Sequence, residues 1–212
     1  VSVMICLAIV MSVFAVMSIT VNAEEPNVYE NGDYKYTLLA DGTAEITDYT
    51  GSATTLAIES EFDGYRVTSI GKEAFKNCSS ITSVVIPDGV TSVGSSAFSD
   101  CSSLTSVTIP DSVTAIKSSA FYGCKNLSSI TIPNGVTSIG NYAFYECKSL
   151  ASITIPDGVT SIGESAFENC YGLTSIVIPD SVTSIGYSVF NYCSSLTIYC
   201  ETACKLSGWS SD

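Results

Sequence analysis

Residues 104–126 read L-T-S-V-T-I-P-D-S-V-T-A-I-K-S-S-A-F-Y-G-C-K-N, and the chain returns to this pattern every 23 residues. Ile-Pro recurs at Ile86-Pro87, Ile109-Pro110, Ile132-Pro133, Ile155-Pro156 and Ile178-Pro179. Ala-Phe keeps the same count at Phe75, Phe98, Phe121, Phe144 and Phe167, and Val189-Phe190 closes the series. A cysteine column follows at Cys78, Cys101, Cys124, Cys147, Cys170 and Cys193, each three residues ahead of Ile81, Leu104, Leu127, Leu150, Leu173 or Leu196. A fixed period of this length marks units that cannot bury an apolar face alone and must stack on their neighbours. Within a unit, Leu104 to Ile109 is rich in β-branched residues and is stopped by Pro110-Asp111, which predicts a short strand. Val113 to Ile116 makes a second short extended piece. Ser118 to Lys125 places Ala, Phe and Cys at i, i+1 and i+4, which predicts one or two helical turns with those side chains inward. Neighbouring coils then pair their strands into a parallel sheet, advancing about 4.8 Å per coil.

The motif I-P-D-G-V-T-S-I-G-x-x-A-F-x-x-C-x-x-L, carried from about Val67 to Leu196, resembles the BspA-like, or Treponema pallidum-type, leucine-rich repeats. The resemblance implies an α/β repeat: a curved, right-handed solenoid with short parallel strands and short helical arcs. It also implies a family of secreted or surface proteins, many from host-associated bacteria and some from protozoa, linked to adhesion. Lys117 departs from the glycine column of Gly71, Gly94, Gly140, Gly163 and Gly186, so that column needs room and not a left-handed backbone.

The ends differ from the repeat. Val1 to Val21 is uncharged and almost wholly apolar, and Val21-Asn22-Ala23 precedes Glu24-Glu25, which predicts a secretory signal over 1–23. A segment of this length also suits an uncleaved membrane anchor. Tyr34 to Tyr49 alternates around Asp41-Gly42, a hairpin signal, and predicts an N-terminal β cap over 24–55 covering an edge that would otherwise invite pairing. The solenoid is expected over 56–198, its first coil lengthened by five residues that include Phe62-Asp63-Gly64-Tyr65. Residues 199–212, with Cys200, Cys204 and Trp209, read as a C-terminal cap or as a truncated continuation.

Composition narrows the function. The 212 residues contain no histidine, which removes the commonest general base and the commonest metal ligand. A net charge of −13 repels nucleic acid and anionic membranes; a membrane enters only through an uncleaved N-terminal segment. Cysteines 23 apart do not resemble a zinc motif, and parallel side-chain vectors suit a disulfide poorly. Buried free thiols are the expected state of the column, suited to a reducing habitat, with Cys200 and Cys204 the better disulfide candidates. Asp88, Asp111, Asn134, Asp157 and Asp180 form a row after proline, explained by turn chemistry and lacking the loop that gathers calcium. No catalytic residue, metal or cofactor is expected.

Two surfaces remain as candidates. The outward positions of the first strand, expected on the concave face, are Ser106 and Thr108, with Ser83 and Val85, Ser129 and Thr131, Ser152 and Thr154, and Ser175 and Val177 in register. Such a face is flat, hydroxyl-rich and poor in the residues that dominate interfaces. Tyrosines gather on the third arc of the later coils at Tyr122, Tyr142, Tyr145, Tyr171, Tyr187 and Tyr192, offering large area with one polar tip, or else packing from coil to coil. The leading expectation is a monomeric adhesion or protein-binding module whose partner is a protein or glycan on another cell or matrix. A structural spacer in a larger surface protein is the alternative. A carboxylate enzyme needs a unique acid pair in a cleft, which rows of Asp do not supply.

Overall fold

The computed structural model describes residues 27–201, and in it the repeats stack as coils in chain order. The second extended piece of each coil builds the longer sheet. Strands Tyr65–Ile70, Ser92–Val93, Ala115–Ile116, Ser138–Ile139, Ser161–Ile162 and Ser184–Ile185 pair in parallel, the first burying Val67 and Ile70 and each of the others one Ile or Val. The first piece, expected to be a short strand, gives a shorter sheet. Thr55–Ala57, Ser83–Val85, Ser106–Thr108 and Ser129–Ile130 pair together, and Ser175–Ile178 pairs with Thr197–Cys200. Between the two groups lies only the bridge from Ser152 to Ser175.

The break lies where the coil-to-coil backbone bonds at the start of this strand are long. At the start of this strand each Thr or Ser side chain bonds a carbonyl of the coil below: Thr82 to Thr54 and Thr105 to Thr82 at 2.8 Å, Ser128 to Thr105 at 3.3 Å. Ala151 occupies that column with no hydroxyl to give. The backbone bonds there run from 2.8 Å for Thr105 N–H to Thr82 O through 3.2 Å at Ser128 and 3.4 Å at Ala151 to 3.3 Å at Thr174, whose hydroxyl is present, and return to 2.9 Å at Thr197.

The third arc is not helical, and the expectation of short helical arcs is corrected here: among the described residues there is no helix. Alternate N–H groups point along the stack. Ser96, Phe98 and Asp100 donate to the carbonyls of Ser118, Ala120 and Tyr122 in the next coil, while Ala97, Ser99 and Cys101 close i to i−3 turns onto Gly94, Ser96 and Phe98. Two residues per arc are left-handed, such as Ser96 (φ 57°) and Asp100 (φ 58°), which no helix accommodates. The apolar spacing of Ala, Phe and Cys does face inward, as the pattern required, but the backbone reaches that arrangement by consecutive turns. Inter-coil bonding satisfies the N–H groups that a helix would have satisfied internally.

Two ladders run through the core. The rings of Phe75, Phe98, Phe121, Phe144, Phe167 and Phe190 stack with centroids 4.9–5.7 Å apart. Beside them the six column cysteines are free, as expected, and each thiol from Cys101 to Cys193 donates to the Phe carbonyl 26 residues earlier at 3.0–3.3 Å. Burial pushes Cys101 up to about 12 and raises Cys124, Cys147 and Cys170 in the same way, so these are inert small core side chains. The glycine column supplies room: a Cβ on Gly94 would lie 2.5 Å from the carbonyl carbon of Gly71 and 2.6 Å from its oxygen, and the backbone there is not left-handed.

The N-terminal cap extends the longer sheet. Tyr34–Leu38 and Ala44–Tyr49 pair antiparallel across Asp41-Gly42, Tyr29–Asn31 adds outside them, and Ala44–Tyr49 pairs parallel with Tyr65–Ile70. Tyr49 stacks on Phe75 at 5.4 Å and so continues the Phe ladder into the cap. The long first coil folds its insertion as a hairpin, Glu61–Phe62 against Tyr65, with Asp63 (φ 51°) and Gly64 (φ 87°) both left-handed, as a type I′ turn requires. It drives Phe62 into the cap, where that ring is fully buried 5.1 Å from Tyr34 and 5.6 Å from Tyr36. Cys200 takes part in a disulfide. The expected N-terminal signal or anchor, Cys204 and Trp209 lie outside the described residues.

Candidate binding surface

The first-strand face carries Ser106, Thr108, Ser129, Thr131, Ser152 and Thr154, and all six are exposed. Ser106 faces Ser129 in register and sits 3.4 Å from the Ser83 hydroxyl. Val85 and Val177 share the face at 43% and 46% exposure. The side chains are short over these strands, and Tyr199, in register with Val177 and 56% exposed, adds one aromatic ring at the C-terminal end.

The tyrosines divide into a cluster and three separate rings. Tyr122 and Tyr145 occupy one column and stack at 4.9 Å with planes 6° apart. Tyr142 meets Tyr145 edge-on at 5.9 Å, and its hydroxyl donates to Glu164 Oε1 at 3.1 Å, the first cause of its raised pKa. Burial, then Tyr145, raises Tyr122. All three are partly buried, and inter-ring packing of this kind adds about 1 kcal/mol per pair beyond area. Tyr142 stands in a left-handed position (φ 57°) where other coils place Ser96, Ser119, Ser165 and Ser188. Tyr171 is 47% exposed, its hydroxyl donating to Asn169 Oδ1 at 2.8 Å, with Lys148 Nζ 5.8 Å from the ring centre and 3.4 Å from Glu146. Tyr187 and Tyr192 stand out at 76% and 63% exposure.

A feature that the column reading missed adjoins the cluster. Where the longer sheet passes into the turn arc, a shallow groove of about 440 Å³ runs across three coils. Gly140, Gly163 and Gly186 form its floor, Ser138, Ser161 and Ser184 one side, Asn141 and Glu164 the other, and Tyr187 one end. The signal was present in the sequence: a column of glycines beside a column of serines leaves a trough wherever the flanking residues are large.

No three His, Cys, Asp or Glu residues gather to hold a metal among the described residues. The Asp row after proline is spread one residue per coil.

A family model described as BspA type leucine rich repeat region matches residues 68–197 in six copies. Solved structures extend the likeness. A leucine rich repeat protein of Treponema pallidum is 28% identical with a TM-score of 0.72, over 81% of this chain and 91% of that one. A leucine rich cell surface protein of Faecalibacterium prausnitzii is 36% identical with a TM-score of 0.65, over 87% of this chain and 58% of that one. A leucine-rich repeat protein of Bacteroides ovatus is 28% identical with a TM-score of 0.66, over 84% of this chain and 54% of that one. The chain thus spans little more than half the length of the last two. No curated protein matches it.

Proposed function

Since the chain belongs to the BspA type leucine-rich repeat family, we propose that it works as a secreted or cell-surface binding module, without catalysis. Its partner is a protein on another cell or in a matrix, met through Tyr122, Tyr142 and Tyr145. A structural relative is described as a cell surface protein, which supports the location.

One observation carries the reading. The column of Tyr122 and Tyr145 holds Lys76, Ser99, Glu168 and Asn191 in other coils, so the fold does not call for an aromatic ring there. Tyr142 goes further, occupying a left-handed position that costs a bulky residue about 1 kcal/mol. Three rings held together and partly exposed give a rigid amphipathic contact with little side-chain entropy left to lose.

The test is a panel of extracellular-matrix and host-cell-surface proteins, probed with the exported chain and with a variant carrying Tyr122→Ser, Tyr142→Ser, Tyr145→Ser and Tyr171→Ser. Binding that vanishes in a variant with an unchanged circular dichroism spectrum supports the reading. Binding that persists, or none by the parent chain, defeats it. A spacer within a larger surface protein is the second reading, favoured by the 58% coverage of the Faecalibacterium relative and by the flat Ser and Thr face.

A further inference from the structure

We propose that the glycine-floored groove is a second binding site, distinct from the tyrosine cluster, and that it takes a short uncharged oligosaccharide. The argument begins with which hydroxyls the scaffold uses. Thr137, Thr160 and Thr183 bond carbonyls of the coil below at 3.1–3.4 Å. Their neighbours Ser138, Ser161 and Ser184 line the groove, and their side chains make no hydrogen bond within the described protein. They form a row of hydroxyls, each able to donate and accept, spaced by the coil rise of about 4.8 Å.

The opposite wall supplies planar polar groups. Asn141 Oδ1 accepts the Glu164 N–H at 3.0 Å, which fixes the amide and leaves its NH₂ group able to donate. Glu164 Oε1 accepts the Tyr142 hydroxyl, which holds the carboxylate while its other oxygen stays able to accept. Tyr187 closes one end with a ring that is 76% exposed and stacks on no other ring among the described residues. Gly140, Gly163 and Gly186 let successive coils pack closely beneath these walls, since a Cβ on any of them would run into the backbone of the coil before it.

These parts suit a sugar. Neighbouring sugar hydroxyls act as donor and acceptor at once and match paired Ser, amide and carboxylate groups, while the C–H face of a pyranose lies on an aromatic ring. A net charge of −13 disfavours sialylated or sulfated chains. An extended peptide is a poorer occupant, because Ser138–Ile139 and Ser161–Ile162 beneath the groove are paired on both sides, and the open side of Ser184–Ile185 lies along the stack at the end of the sheet, not in the groove that crosses the strands.

The experiment uses the full chain exported from a bacterial host. It is applied to an array of uncharged gluco-, galacto- and manno-oligosaccharides beside sialylated and sulfated ones, and the best uncharged probe is followed by titration calorimetry. The parent should retain an uncharged probe. Tyr187→Ala should weaken it roughly tenfold by removing the ring, and Ser161→Trp should abolish it by filling the groove. Tyr122→Ser with Tyr145→Ser should leave sugar binding unchanged, whatever they do to protein binding. Tyr187 is exposed, so its variant keeps the test alive if Ser161→Trp does not fold. The proposal is overturned if no uncharged probe binds, if only anionic ones do, if neither groove variant weakens binding, or if the Tyr122 and Tyr145 changes remove it.

Discussion

Raising the pH should unfold this protein through its thiol ladder. Cys101, Cys124, Cys147 and Cys170 are fully buried, and burial is the first cause of their raised pKa values, with Cys101 at about 12 against an ordinary 9.0. A folded-state pKa above the unfolded one gives stability that is complete below the unfolded value and is lost as pH rises toward the folded one. The window therefore opens near pH 9, where the unfolded chain begins to release thiol protons that the native chain retains. One unit higher, each thiol favours unfolding by about 1.4 kcal/mol, so the four together contribute about 6 kcal/mol, within the 5–15 kcal/mol that holds most domains folded. Half-buried Cys78 and Cys193 add less, and Tyr34 and Tyr36, raised to about 12, join only above pH 10. Urea unfolding followed by circular dichroism under reductant, from neutral pH to about 10.5, should show a plateau and then a fall. Cys124→Ala with Cys147→Ala should lower stability at neutral pH but roughly halve the alkaline slope. A flat profile to pH 10.5, or an unchanged slope in the double variant, would refute the reasoning.

Three further outcomes follow from the packing. Phe121→Ala removes the ring between Phe98 and Phe144, both 5.5 Å away, and should cost about 3–5 kcal/mol in denaturant unfolding. Ala151→Thr returns the hydroxyl missing from its column and should raise the melting temperature by about 1–2 °C in thermal unfolding followed by circular dichroism, with no change at all meaning that the Thr hydroxyls of this column add nothing to stability. Tyr142→Asn suits the left-handed position better and should stabilise the fold by up to about 1 kcal/mol while weakening any protein partner held by the tyrosine cluster. Loss of both stability and binding would place Tyr142 in the scaffold.

The repeat, its period, the inward columns and the cap hairpin were legible because each follows from side-chain chemistry repeated at fixed spacing. Phe121 and Cys124 recur as neighbours in every coil, and their burial needs no knowledge of the backbone between them. The backbone itself was harder. Ala, Phe and Cys at i, i+1 and i+4 satisfy a helical period, yet the same spacing arises when left-handed residues chain tight turns together. Ser96 and Ser119 gave no warning, since serine rarely signals that conformation, whereas Asn77, Asp100 and Asn169 in the companion column could have. The relative strength of the two sheets was also hidden, because it rests on differences of a few tenths of an ångström in the bonds between coils. Column reading found the stacked Tyr122 and Tyr145, which repeat at the period. It missed the groove, which arises between columns.

The bonds that join coils link residues about one period apart, as with Phe98 to Ala120 and Gly140 to Ile116. The separation in sequence between partners is therefore the same at every level of the stack, and it does not grow as coils are added. Loop closure asks the same modest entropy at each step, so folding can propagate from any formed pair of coils at a rate that is insensitive to total length. A duplication or deletion of one whole 23-residue unit rejoins like columns and recreates an interface that the molecule already contains. Loss of a single residue within a coil has no such remedy. Genetic change in this chain is thus tolerated in quanta, and its length can drift while its geometry stays fixed.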